Sequence, residues 1–453
     1  MRRPGGAVAE PLKSLMLTAV QKNLRELFLT LGGGSKAPLD GRAAYANAAS
    51  HGVLGLGLVA LLFAASRGGG DFGPMHLMGV AVVRGLPIYD RAFQLQLFAN
   101  GEYPGPPQGM FYPPATGVAL LPLAWFSFRI AQHVWCGLTM LAIVFGVRAL
   151  LKAARPDLQP RAWRFAAGFV MLSAGVRWGI TPGQGAPLVL GLLCLFMAQL
   201  FNGNRWWAIA IAAFALAFKF TLAVPFLLLL LCFRNYRGLV LCAGTWVVSN
   251  AVGLYRVGGL TAMHDYKMNI ATVEALGDIN TPDPWAPISV PRTDLSYLAF
   301  GVLRNLPLAR TLAQLACVVI AVVLIWLAWR LGPHPTLRQA FGYLLVGTCL
   351  GAAAVYHHHY DWAVLIAPLL LGCLLQERSG LKRTDWLLLS PMCAMLAFLP
   401  IALAQRLLID AFGSRGVVLL NFSFPVLTLV GIGVGLLSLF SGLRRSSAGL
   451  ESS

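Results

Sequence analysis

Apolar residues recur in long runs from residue 47 to residue 440, separated by short polar turns and by two wide gaps. Twelve runs read as membrane segments, near 47–66, 130–150, 163–180, 186–202, 206–218, 221–233, 238–254, 311–330, 338–355, 361–376, 386–404 and 417–440. Several are shorter than the roughly 20 residues that a bilayer crossing requires. In the pair at 206–233, Lys219 interrupts an otherwise apolar stretch. That pattern predicts two short helices meeting below the membrane surface, which a protein-lined cavity permits. The gaps, residues 67–129 and 255–310, read as two long outer loops that hold most of the polar chemistry. Inside the first, the apolar segment 115–127 is too short to span and reads as re-entrant or interfacial.

The expected architecture is therefore all-α: a polytopic integral membrane protein with about twelve transmembrane helices. Residues 1–46 form a cytoplasmic tail, 47–440 one membrane domain and 441–453 a second cytoplasmic tail. In the first tail, Leu12, Leu15, Met16, Ala19, Leu24, Leu27 and Leu31 recur at helical spacing with Lys13, Lys22 and Arg25 opposite. This predicts an amphipathic helix lying on the membrane surface. No cleavable signal peptide is expected, because the first apolar run begins only near Asn47.

Composition supports this reading: 57% of the 453 residues are hydrophobic and 11% charged, which excludes an ordinary soluble enzyme. The 35 Lys and Arg against 17 Asp and Glu give a net charge of +18. With the N-terminus placed in the cytoplasm, 22 of the 35 fall on the inner side and 13 on the outer, whereas ten of the seventeen acids fall outside. Arg148, Lys152, Arg155, Arg161 and Arg164 fix one inner turn, and both termini become cytoplasmic. The basic excess is thus used by topology, and no nucleic acid is expected as a partner. The eight cysteines lie in or beside apolar runs without metal-ligand or paired spacing, and read as small core residues.

Few residues remain for chemistry. Asp71 follows the first span and Gly68-Gly69-Gly70, and an acid at that depth marks a functional site unless Arg67 simply pairs with it in water. Tyr89 and Tyr112 lie in aromatic-proline turns that suit the wall of a sugar or headgroup pocket. Lys219 needs an anionic partner or a cavity, unless it snorkels to the surface. His357, His358 and His359 precede Asp361, which is placed to orient a histidine; three consecutive histidines cannot all face one site. Arg177 and Arg256 are further outer cations. Asp278, Asn280, Asp283 and Asp294 read as solvated groups or acceptor contacts, and Trp285 as a sugar-stacking or interfacial residue. No cofactor or metal is expected.

Together these blocks resemble glycosyltransferase family 87. The stretch from Asp71 through Ala81, Arg84, Gly85, Pro87, Ile88, Tyr89 and Asp90 is similar to the signature after the family's first helix. Tyr112-Pro113-Pro114 with Leu121-Pro122-Leu123 looks like its second block. Gly183-Gln184-Gly185 resembles its Gly-Gln-Asn turn, with Gly185 for Asn, and Phe218-Lys219-Phe220-Thr221 its Lys-Pro hairpin, with Phe220 for Pro. His357-His358-His359-Tyr360-Asp361 and Pro368 are similar to its later outer motif. The family includes a mannosyltransferase of phosphatidylinositol mannoside synthesis and an arabinofuranosyltransferase of mycobacterial walls.

The resemblance implies a GT-C fold and a polyprenyl-phosphate-linked sugar donor, mannose or a pentose, used on the outer face of the cell membrane with a lipid or glycan acceptor. It implies that Asp71 is the catalytic carboxylate, with Gln184, Lys219 and the histidines 357–359 among the substrate contacts. Inverting sugar transfer needs one base for the acceptor hydroxyl and stabilisation of a departing phosphate. Two other readings stand beside it: a transporter or flippase of lipid-linked sugars, and an enzyme like an O-antigen ligase or polymerase. A transporter places its charges near the midplane of duplicated halves, and no internal repeat is visible here. A ligase is expected to rely on arginines and a histidine in its large outer loop.

Overall fold

The computed structural model of the protein describes residues 41–66, 70–101, 110–273, 281–286, 291–354, 358–376, 383–398 and 401–450. The amphipathic segment within the first 40 residues, Arg67, His357, Asp278 and Asn280 lie outside them. The described chain is helical, and among the described residues the one β-contact is an antiparallel bridge between Arg292 and His358.

Chain order gives α1 (Gly41–Ser66), α2 (Phe72–Arg84), α3 (Arg91–Ala99), α4 (Pro114–Ala119), α5 (Leu121–Ala124), α6 (Phe128–Ala154), α7 (Pro160–Leu172), α8 (Ala174–Ile180), α9 (Ala186–Phe201) and α10 (Arg205–Phe218). Then follow α11 (Val224–Cys232), α12 (Tyr236–Arg256), α13 (Gly259–Val273), α14 (Leu295–Leu303), α15 (Leu306–Leu331), α16 (Leu337–Ala354), α17 (Ile366–Gln376), α18 (Arg383–Phe398), α19 (Ile401–Phe412) and α20 (Ser414–Leu450).

All twelve apolar runs fall on helices, but among the described residues five helices are long and apolar enough to cross a membrane: Tyr45–Ser66, Phe128–Ala154, Tyr236–Arg256, Leu306–Leu331 and Arg415–Ser441. The remaining runs are shorter, interrupted or less apolar. The segment expected as one span over 163–180 is two helices, because the chain leaves helical geometry at Ser173, whose backbone is extended. The expected outer loops also carry helices of their own. Asp90 starts α3 by accepting the backbone N–H groups of Ala92 and Phe93, and Asp294 starts α14 by accepting that of Tyr297. The apolar segment 115–127 becomes the short helices α4 and α5, each begun by a proline in its first turn.

Lipid tails give no hydrophobic drive for helices to associate, so small residues that admit close backbone approach carry the packing. At the crossing of α6 and α9, a Cβ on Gly191 would lie 2.4 Å from the Ala142 carbonyl carbon, and one on Gly146 would lie 2.3 Å from the Gly191 oxygen. At the crossing of α1 and α7, a Cβ on Gly168 would meet the Val53 carbonyl at 2.6 Å. Gly342 and Gly435 bring α16 and α20 together in the same way.

Connectivity sorts the turns to two ends. Asn47, near the start of α1, accepts from the Arg164 guanidinium at 2.8 Å, while Arg148 and Arg164 both lie over the Trp163 ring. Asp71 follows the far end of that 26-residue helix, about 39 Å away at 1.5 Å per residue. Returning helices α9, α10 and α11 have 16, 14 and 9 residues, and α10 rises only about 21 Å. The Lys219 turn therefore sits recessed relative to the ends of the long helices.

Gly191→Ala is expected to lower stability by roughly 1–3 kcal/mol through overpacking of α6, whereas Gly244→Ala, in a helix with open space around it, should leave stability unchanged or slightly higher. Thermal unfolding of both variants in the same detergent checks the contrast.

Candidate active site

Three turns at the end opposite the Arg148–Arg164 cluster supply the polar groups. The first joins α1 to α2. The backbone N–H groups of Asp71 and Phe72 both donate to the Pro182 carbonyl, at 2.9 and 3.1 Å. That carbonyl belongs to the second turn, between α8 and α9, where Gly183 has φ +82°. A Cβ there would sit 2.5 Å from the Phe72 Cβ, so glycine is needed both for the backbone angle and for the contact. On the other side of Gln184, a Cβ on Gly185 would lie 2.4 Å from the Phe218 ring. Gln184 is thus held between the immediate neighbours of Asp71 and Lys219. Behind it, Phe72, Trp135 and Phe218 pack in a row with centroid separations of 5.6 and 5.1 Å.

Lys219 is the third element. The chain leaves α10 there in an extended conformation, φ −146° and ψ 81°, before a 3₁₀ turn over Phe220–Ala223 leads into α11. Thr116 on α4 donates its hydroxyl to the Phe218 carbonyl at 2.9 Å and fixes the bend. The Lys219 ammonium donates to Asp361 Oδ1 at 2.7 Å and to Gln184 Oε1 at 3.4 Å. The Gln184 amide nitrogen in turn donates to Asp71 Oδ2 at 2.7 Å and to the Tyr360 hydroxyl at 3.1 Å. Both ends of the amide are decided by charge: turning it over would set its oxygen against a carboxylate and its NH₂ against an ammonium.

Asp361 is buried, in a 3₁₀ segment over His359–Leu365. Trp362 anchors that segment by donating to Thr428 at 3.2 Å. The preceding strand bridge ties it to the segment around Arg292, where the His359 N–H donates to the Pro291 carbonyl. Arg292 beside it makes a buried 2.8 Å ion pair with Asp294, which also accepts from the Ser296 hydroxyl.

Burial raises the Asp71 carboxyl above its ordinary value of 3.8; the Gln184 hydrogen bond and Lys219 oppose the rise, and the Asp361 charge adds to it. Burial, reinforced by its neighbour His359, pushes the His358 imidazole down to about 3, and burial takes His359 to about 4. Both histidines are neutral rings at working pH, with His359 packed edge-on to Trp178 at 5.2 Å. Among the described residues no three His, Cys, Asp or Glu side chains are placed to hold a metal ion.

The structure brings Asp71, Gln184 and Lys219 together and sets His358 and His359 beside them in the segment that carries Tyr360 and Asp361. Tyr89 and Tyr112 meet each other: the buried Tyr89 hydroxyl donates to the Tyr112 carbonyl at 2.6 Å, and Asn269 donates to the Tyr89 carbonyl. These bonds tie the segments that hold Tyr89, Tyr112 and Asn269 to one another. Arg256 donates to the Val82 and Val83 carbonyls at the C-terminal end of α2, Arg177 is exposed, and Asp283 pairs with Arg304. Trp285 donates its ring N–H to the Gly301 carbonyl and lies under Arg304. Sequence reading missed Tyr360 as a member of the network and Asp361 as the partner of Lys219. The signal was the lone lysine in an apolar hairpin, which calls for an anion without saying which one.

Lys219→Met removes the cation paired with the Asp361 carboxylate, 4% exposed in its side chain, and should cost about 3–5 kcal/mol. Adding Asp361→Asn should recover part of that loss, a coupling that a double-mutant cycle on thermal unfolding measures.

A family model described as glycosyltransferase family 87 matches residues 111–356, more than half of the chain. That match contains Gln184 and Lys219 and is flanked by Asp71 and Asp361. No curated protein matches.

Proposed function

Because the chain belongs to glycosyltransferase family 87 and carries helices apolar and long enough to cross a membrane, we propose that it transfers a sugar, mannose or a pentose, from a polyprenyl-phosphate donor. The acceptor is a lipid-linked or envelope glycan on the outer face, and transfer inverts the anomeric centre. The observation that carries this reading is the hydrogen-bonded chain Asp71–Gln184–Lys219–Asp361, which joins three turns in a recess at one end of the molecule.

In this mechanism Asp71 is the base. Its free carboxylate oxygen accepts the proton of the acceptor hydroxyl while that oxygen attacks the anomeric carbon and the bond to the donor phosphate oxygen breaks. One carboxylate suffices, unlike the pairs that glycoside hydrolysis uses. Burial suits Asp71 to the task, since a carboxyl raised toward working pH is a stronger base. Gln184 fixes which carboxylate oxygen stays free. Lys219 places positive charge at the recess, where it helps to stabilise the departing phosphate. Its charge is shared with Asp361, so His358 and His359, neutral and able to donate hydrogen bonds, complete the pocket wall.

The outer-face assignment rests on the positions of the two ends. The Arg148–Arg164 cluster, bound to the start of α1, belongs in the cytoplasm by its charge, which sets Asp71 on the opposite side. Both termini are then cytoplasmic.

Asp71→Asn should reduce release of polyprenyl phosphate from a panel of polyprenyl-phosphate sugars by at least about 10²-fold. Its fold should survive. A carboxyl raised in the folded state binds its proton more tightly there, so its contribution to stability falls as pH rises from 3.8 through the raised value. At neutral pH the asparagine variant should therefore melt at the same temperature as wild type or higher. Near wild-type release would remove Asp71 as the base, and donor binding without release from wild type would favour a flippase.

A further inference from the structure

The end of the molecule opposite Asp71 holds a cavity of about 300 Å³ that sugar transfer does not use. It lies among the α9–α10, α11–α12 and α15–α16 turns and is walled by Phe201, Phe233 and Pro335, with Arg205, Asn235 and His334 as its polar groups. Among the described residues no acidic side chain lines it. Among the described residues, neither the Arg205 guanidinium nor the His334 ring has a hydrogen-bond or ion-pair partner. Asn235 accepts from the Gly238 N–H through Oδ1 and keeps Nδ2 as a buried donor without an acceptor. Arg205 and His334 are exposed, Asn235 is buried, and Arg205 brings the cavity its one formal charge; a guanidinium without a carboxylate partner, beside further polar groups, matches an anion.

The surroundings identify which anion. Trp206, Trp207, Tyr236 and Trp329 are exposed around the same turns, as aromatic residues are at the headgroup level of a bilayer. Arg237 lies 4.7 Å over the Trp206 ring, and Arg234 donates to the Trp329 carbonyl at 3.1 Å, so both are already engaged. Arg205 is left facing the cavity. A guanidinium with nearby N–H donors suits phosphate oxygens, and the apolar wall suits the carbon stem that a phosphate ester carries. We propose that this cavity binds the phosphate group of an anionic ester, supplied by a membrane lipid headgroup or by a soluble phosphate compound.

The test uses the full chain in phosphatidylcholine nanodiscs, with the thermal midpoint followed as phosphatidylglycerol replaces the neutral lipid. Wild type should gain stability as the site fills. Arg205→Gln should need about tenfold more phosphatidylglycerol for the same rise. Lys152→Gln, an exposed charge at the same end but outside the cavity, should titrate like wild type. His334→Gln should weaken the response in the same direction as Arg205→Gln. A rise produced by inorganic phosphate at matched ionic strength would assign the soluble source; a rise confined to the lipid would assign the headgroup. The proposal is overturned if wild type responds to neither probe. It is equally overturned if Arg205→Gln and Lys152→Gln shift the titration alike, since the attraction would then be the diffuse field of a basic face.

Discussion

A lysine in an apolar hairpin must find an anion, and most of the architecture around the recess follows from how this chain meets that need. Lys219 pairs with Asp361 at 2.7 Å, with side-chain exposures of 15% and 4%. An unpaired charge at such a position is costly. The pairing requires α10 to stop short, the 3₁₀ segment after His358 to fold back toward it, and the α8–α9 turn to close the remaining side. Gln184 then has one arrangement that satisfies both the ammonium and the Asp71 carboxylate. The carboxylate that we assign as base is oriented by a cation that need not touch it.

The short helices and the glycine crossings serve this arrangement. Helices of 9–16 residues cannot reach both faces of a bilayer core of roughly 30 Å, and here α10 ends at the Lys219 turn, held by Thr116, Gln184 and Asp361. The long helices supply the membrane-spanning frame, and Gly146, Gly168, Gly191 and Gly342 let the shorter helices α7, α9 and α16 pack closely against it. Gly183 and Gly185 make the same close approach at the site itself. Gly185, where the resemblance led us to expect asparagine, leaves room for the Phe218 ring. That substitution is thus matched by packing beside Lys219.

Much of this was legible in the sequence because membrane physics writes strongly. The apolar runs fall on helices, though the run at 163–180 is broken at Ser173, and the isolated charges at Asp71 and Lys219 stood out against them. What was not legible depends on contacts between distant segments. Asp71 and Gln184 are 113 residues apart, and Lys219 and Asp361 are 142 apart, so the pairing of particular acids and cations follows from the fold alone. Tyr89 and Tyr112 carried the composition of a binding wall; that the Tyr89 hydroxyl reaches the Tyr112 carbonyl and Asn269 the Tyr89 carbonyl depends on contacts between distant segments. The helices within 67–129 and 255–310 were missed because their first turns depend on caps such as Asp90 and Asp294, which are short polar signals inside segments that read as loop.

The central claim is that Asp71, oriented by Gln184, takes the acceptor proton, and the acid limb of kcat/KM tests it most directly. The wild-type limb should lie above the ordinary carboxylate value of 3.8, because burial raises the Asp71 carboxyl. Gln184→Met removes a hydrogen bond that favours the ionised form, so the limb should move to higher pH while measurable transfer remains. A limb at the same pH in wild type and Gln184→Met would contradict the account and assign the proton transfer to another group.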